Sequence, residues 1–253
     1  MSKDINELTK QIQVIVDEFQ GEVGIIVREG TKNIFSKNEE KIFQSASIIK
    51  LFILEALLEK IENNSFSYNQ RVLLKNEDKV AGFGALKLLD ENINLTIKDL
   101  ATLMITLSDN TATNMLIDLI GIEYIQEFIK RKGYLETRLE RKMFDYIARE
   151  KGLDNYTSAR DSFRVLKNLS KNYIALDILK NQLCNSKIPL YFFRKIEVAH
   201  KTGDLVNIEH DVGTLFFKNT SVDLIILAEG QNKDAVLLNN YLGEAIYNFY
   251  KEQ

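Results

Sequence analysis

The chain has no tryptophan, one proline (Pro189) and one cysteine (Cys184) among 253 residues. A lone cysteine excludes an intramolecular disulfide, a Cys-x-x-Cys redox pair and a zinc knuckle. Beside Leu183, with Ile178 and Leu179 near it, Cys184 is expected in the core. No segment approaches the roughly eighteen uninterrupted apolar residues of a membrane span. Cationic excess is lacking too. A net charge of -3 provides no basic field to grip nucleic acid, which is not expected as a partner. The two histidines, His200 and His210, have no third ligand at useful spacing, so they are expected to be satisfied strand residues and no metal is expected. No Gly-x-Ser-x-Gly elbow supports a Ser-His-Asp hydrolase built on them and Asp211. Gly82-Phe83-Gly84 lacks the third glycine and preceding strand of a nucleotide loop, so no cofactor is expected, and Phe83 is placed at a cleft mouth. The N-terminus interleaves apolar and charged residues, unlike an export signal. The expectation is a cytoplasmic chain, with export followed by signal removal as the alternative.

What is present reads as a globular protein, with 45% hydrophobic and 27% charged residues. Ile5, Leu8, Ile12, Ile15 and Val16 predict an amphipathic helix over residues 3–19. Two strands follow at Glu22–Arg28 and Lys32–Ser36, with Glu29, Gly30 and Thr31 as their turn. Helical patterns fill the middle: Ser47–Ile61, Thr96–Leu107, Thr111–Ile120, Ile122–Lys132 and Ala159–Leu169. After Pro189 come three strands, Lys195–Lys201, Val212–Lys218 and Val222–Ala228, and a helix over Lys233–Tyr250. The expected fold is α/β (α+β): an antiparallel sheet flanked by terminal helices (residues 1–44 and 188–253) with an inserted all-helical lobe (45–187). The cleft between the lobes is the expected site.

Three short motifs carry chemistry. Ser47 and Lys50 stand one helical turn apart on one face. Lys50 lies within Ile48-Ile49-Lys50-Leu51-Phe52-Ile53-Leu54, where a helix has almost no polar face, so its charge must be paired or functional. A neutral lysine can take the serine proton, and burial or a second cation favours that form. Ser108-Asp109-Asn110 joins two helices. A serine there can relay a proton and an asparagine amide can hold a carbonyl, although all three are also good N-caps. Lys201-Thr202-Gly203 ends an apolar strand. The first two can bind a carboxylate, and the glycine leaves room for a substrate along the strand edge.

Singly each motif is weak. Ser-x-x-Lys arises about once by chance in a lysine-rich chain this long. Together, in this order and in these contexts, they form the motif set of class A β-lactamases and penicillin-binding proteins, which the chain resembles over essentially its whole length. The resemblance implies that Ser47 is the nucleophile and Lys50 its general base or the relay to it. It makes Ser108 the relay to the departing nitrogen, with Asn110 positioning Lys50 and the substrate amide. Lys201, Thr202, Gly203 and Asp204 would bind substrate, with the backbone N–H groups of Ser47 and Asp204 as the oxyanion hole. The implied substrate is a small-molecule β-lactam or an acyl-D-Ala peptide, and the chain is expected to be a monomer. Alternatives are a D-Ala-D-Ala peptidase or penicillin-binding protein, a small-ester hydrolase, and a non-catalytic β-lactam sensor.

One departure bears on mechanism. Where class A enzymes carry a glutamate that activates the deacylating water, Thr137-Arg138-Leu139-Glu140-Arg141 leads into Met143, or into Lys142 when aligned backward from Thr157-Ser158. Neither is a base. Asp145 and Glu140 are the nearest candidate substitutes, and Arg141 is expected to staple the loop to Asp154. Slow release of the acyl group is expected.

Overall fold

The computed structural model describes residues 4–252. Helix α1 (Ile5–Glu18) is capped by the Asp4 carboxylate, which accepts the Asn6 N–H, and buries Leu8, Ile12 and Val16 at four-residue spacing. The expected start at residue 3 lies outside the described residues. Strands β1 (Gly21–Glu29) and β2 (Lys32–Lys37) form a hairpin closed by Gly30 and Thr31 alone, because Glu29 pairs with Lys32. Gly30 supplies the positive φ, +57°, that so tight a link needs. Glu29 is therefore strand, not turn.

Strand β3 (Phe43–Gln44) precedes a 3-10 turn at Ala46–Ile48 and helix α2 (Ile49–Glu62). Then come β4 (Arg71–Leu74), β5 (Ile93–Thr96), α3 (Ile97–Thr106), α4 (Asn110–Ile120), α5 (Ile122–Arg131), α6 (Tyr146–Glu150), β6 (Tyr156–Thr157), α7 (Ala159–Leu169) and α8 (Tyr173–Lys180). The chain ends with β7 (Glu197–Leu205), β8 (Ile208–Phe216), β9 (Ser221–Gly230) and α9 (Asn232–Tyr250). The middle segment is thus not wholly helical: β4 pairs with β5, and β3 with β6. Pairs of two to four residues leave no readable period in a sequence.

The main sheet is antiparallel in the order β2-β1-β9-β8-β7. Alternation of side chains gives it two buried faces. Ile25, Val27, Leu224 and Ile226 pack with α1 and α9, whereas Ile26, Val212, Ile225 and Leu227 pack with the helical middle of the chain. Helix α2 belongs to the second core and is buried over every residue from Ile49 to Leu58, Lys50 included. Strand β7 is the sheet's edge and runs past the turn that carries Ser47.

Helix α9 approaches the segment before β7 so closely that a Cβ on Gly243 would stand 2.2 Å from the Ile188 carbonyl oxygen. Asn240, one turn back, donates to the carbonyls of Ser186 and Lys187. Gly243→Ala should therefore lose about 1–3 kcal/mol of stability through overpacking, seen as a lower urea midpoint.

Candidate active site

The geometry starts from Lys50. Its amine lies 3.1 Å from Ser47 Oγ, 2.7 Å from the Ser108 carbonyl oxygen, 3.0 Å from Ser108 Oγ and 2.9 Å from Asn110 Oδ1. The two carbonyl-type oxygens can only accept, so they take two N–H bonds. A neutral amine then has its lone pair left for a serine hydroxyl. No carboxylate hydrogen-bonds this amine among the described residues, and Lys50 has no exposed surface. Burial first, and the charge of Lys201 second, hold its pKa well below the ordinary lysine range.

Ser108 reaches Lys50 with both its carbonyl and its hydroxyl because its backbone is left-handed, φ +52°, an uncommon state for serine. The turn is held by Asp109, whose N–H returns to Leu103. One carboxylate oxygen of Asp109 caps α4 at Ala112, and the other accepts from Ala85 and Leu86. Asp109 is thus the cap, while Ser108 and Asn110 turn their side chains to Lys50. Lys201 stands 3.1 Å from the same Ser108 hydroxyl, which bridges the two lysines. Burial lowers Lys201 to about 8.

Lys201, Thr202 and Gly203 sit within β7 rather than at its end. A Cβ on Gly203 would meet Ala46 and Ile48 at 3.2 Å, so the space left by the glycine is filled by the turn bearing Ser47, not kept for a ligand. Its role is to bring the edge strand against that turn. Thr202 Oγ1 is buried with no hydrogen-bond partner among the described residues. An unpaired buried hydroxyl costs free energy unless something fills the gap.

A cleft of about 250 Å³ opens over Ser47 and is lined by Phe83, Asn110, Met143, Asp145 and Asp204 among others. Phe83 stands half exposed at its rim. Asp145 lines the cleft but caps α6 through Ala148 N–H. Glu140 does not line it, and its carboxylate accepts the Asp154 N–H instead. Arg141 staples the loop to Asp154 at 2.7 and 2.9 Å, as the sequence suggested.

Sequence reasoning missed Asn114, which grips Met143 by both backbone groups: Nδ2 donates to its carbonyl and Oδ1 accepts its N–H. Asn114 stands one turn beyond Asn110 on α4, and that i, i+4 spacing was the available signal. This grip selects Met143, not Lys142, as the loop residue presented to the cleft, because Lys142 pairs outward with Asp118. Lys187, buried beside Asp204, was missed as well. Cys184, expected in the core, is half-buried in the turn leading to β7.

Both histidines are satisfied in strands. His200 lies 2.9 Å from Asp211 Oδ1 and 3.2 Å from Asn185 Oδ1. No group of three metal-ligating side chains gathers among the described residues.

The family model described as the beta-lactamase enzyme family matches residues 7–250. The chain belongs to that family. Membership makes it a serine hydrolase of the β-lactamase type. Beta-lactamase BRO-1 of Moraxella catarrhalis is 22% identical over 245 residues, covering 92% of this chain and 78% of that one. The structure of a β-lactamase from Sphaerobacter thermophilus superposes with a TM-score of 0.85 at 24% identity, over 99% of both chains. A PBP-A point mutant, solved as an acyl-enzyme complex with penicillin G, gives 0.84 at 22%, over 100% of this chain and 99% of that one. At these identities the structures establish the shared fold.

His210 fixes a stability signature for this β-lactamase-family chain. Its Nδ1 accepts the Ala228 N–H and its Nε2 donates to the Gln44 carbonyl, which demands the neutral ring. Burial pushes its pKa down to about 3. Below the ordinary value near 6.5 the unfolded chain takes up a proton that the folded chain refuses, until about pH 3. Stability should fall with pH across that window by about 1.4 kcal/mol per unit. Urea unfolding at pH 7 and pH 5 checks this: the wild type should lose about 2 kcal/mol more than His210→Gln.

Proposed function

We propose that the chain opens β-lactam rings through an acyl-enzyme on Ser47 and releases the acyl group slowly. The observation that carries the reading is the buried Lys50 amine, with no carboxylate partner among the described residues and within hydrogen-bond reach of Ser47 Oγ. Ser47 Oγ attacks the lactam carbonyl while its proton passes to Lys50. The developing oxyanion is held by the N–H groups of Ser47 and Asp204. As the carbon–nitrogen bond breaks, Ser108, which touches both lysines, hands a proton to the departing nitrogen and is reprotonated from the lysine side. The substrate carboxylate is taken by Lys201 and the unpaired Thr202 hydroxyl, and its amide by Asn110. Side-chain and backbone groups of one chain supply each of these roles toward a small molecule.

Release of the acyl group needs a base for water. The loop residue gripped by Asn114 and facing the cleft is Met143, whose thioether takes no proton in ordinary buffers. Asp145, partly occupied as a cap, carries the residual turnover. This one position favours a second reading, a penicillin-binding protein or D-Ala peptidase whose β-lactam adduct is long-lived.

Intact mass and hydrolysis are followed together with a fluorescent penicillin and a chromogenic cephalosporin. The wild type should form a one-to-one adduct with slow turnover, and Ser47→Ala should form none. Fast turnover without a persistent adduct contradicts slow release. Absence of both turns the search to small esters. Met143→Glu should shorten the adduct lifetime by about 10²–10⁴-fold, the usual worth of a placed base. An unchanged lifetime would show that Met143 does not mark the water site.

A further inference from the structure

Lys187 is a lysine with almost no exposed surface that the reaction above does not use. Its backbone is fixed from two sides. Asn240 donates to the carbonyls of Ser186 and Lys187, and the next residue, Ile188, donates its N–H to Asp211 Oδ2. From this anchor the ammonium reaches Asp204 Oδ1 at 2.8 Å and Glu209 Oε2 at 2.7 Å. It also donates to the carbonyl oxygens of Gly203, at 3.1 Å, and His210, at 3.0 Å. Gly203 and His210 are a facing pair in the β7–β8 ladder.

The Gly203 contact matters most. The Gly203 carbonyl and the Asp204 N–H belong to one peptide unit. In a trans peptide these groups point in opposite directions from one rigid plane. Holding the carbonyl toward the interior therefore turns the N–H the other way, toward the cleft that Asp204 lines. The two carboxylates occupy the ammonium, so it is not free to receive a substrate anion.

We propose that Lys187 is a positioning residue that aims the Asp204 N–H at the reacting carbonyl oxygen by holding the far end of the same peptide unit. The inference rests on the acyl-enzyme reading, in which that N–H stabilises the oxyanion. A second effect follows from charge. The groups that face Lys50 electrostatically are Lys201 and Asp204 on β7, Asp109 in the α3–α4 turn, and Cys184 ahead of β7. Those around Lys187 are Asp204 on β7, Glu209 and His210 on β8, and Lys201. By pairing with Asp204, Lys187 offsets a negative charge that would otherwise favour the protonated form of Lys50.

The test is the acylation of Ser47 by a fluorescent penicillin, resolved into an initial binding constant and an acylation rate constant across pH. Wild-type protein that forms no adduct overturns the acyl-enzyme reading and this inference with it. With the wild type acylating, Lys187→Met should lower the acylation rate constant by about 10²-fold, the usual cost of losing one oxyanion donor, and leave initial binding nearly unchanged. Its acid limb should move to higher pH, because two carboxylates are left without their cation. A rate constant near that of the wild type, or a loss confined to binding, overturns the inference alone. Should Lys187→Met fail to fold, the double variant Lys187→Met, Glu209→Gln leaves one fewer carboxylate without its cation. It should show the same loss of acylation rate constant with initial binding retained, and a rate constant near that of the wild type overturns the inference.

Discussion

The structure depends on one buried amine. Lys50 is surrounded by a hydroxyl from its own helix turn, the hydroxyl and carbonyl of Ser108, and the amide oxygen of Asn110. None of these partners carries a formal charge. A lysine ammonium in such surroundings is expensive, which holds the Lys50 pKa well below the ordinary lysine range. Burial thus prepares a base. That requirement explains why α2 is enclosed on every side and why Ser108 keeps an uncommon backbone state. Asp109 spends its carboxylate on three backbone N–H groups, which keeps the turn facing the lysine.

Attack and release are supported by different parts of the fold. The groups proposed for attack come from the Ser47 turn, α2, the α3–α4 turn and the edge strand β7, all packed on the central core. Gly203 allows that strand to press against the Ser47 turn, and Lys187 ties its peptide plane to the layer behind. Release depends on the loop between α5 and α6, which Asn114 and the Arg141–Asp154 pair hold in place. The loop is well anchored but presents a thioether. In the proposed function the two steps draw on separate anchors, so that acylation is ready and release slow.

Much of this was legible in the sequence, for physical reasons that differ by element. The buried helix was readable because Ile48–Leu54 leaves no polar face except Lys50. The sheet was readable from its short strand-like runs and from the turn at Gly30. The site was readable because three weak motifs fell in order in compatible settings. The remainder was hidden for equally physical reasons. Lys187 acts on backbone groups far away in sequence, and a side chain that grips a distant carbonyl leaves no local pattern; Asn114 left only its one-turn spacing from Asn110. Gly203 was misjudged because the sequence does not show which neighbour fills the space beside a glycine. Strands β3 to β6 are too short to show a period.

The central claim is that burial holds the pKa of the Lys50 amine well below the ordinary lysine range. Lysine labelled with ¹³C at Cε allows each side chain to be titrated by NMR, with Lys50→Arg assigning the resonance. The account predicts that the Lys50 signal titrates well below the ordinary lysine range. A Lys50 resonance that titrates with the surface lysines would contradict it.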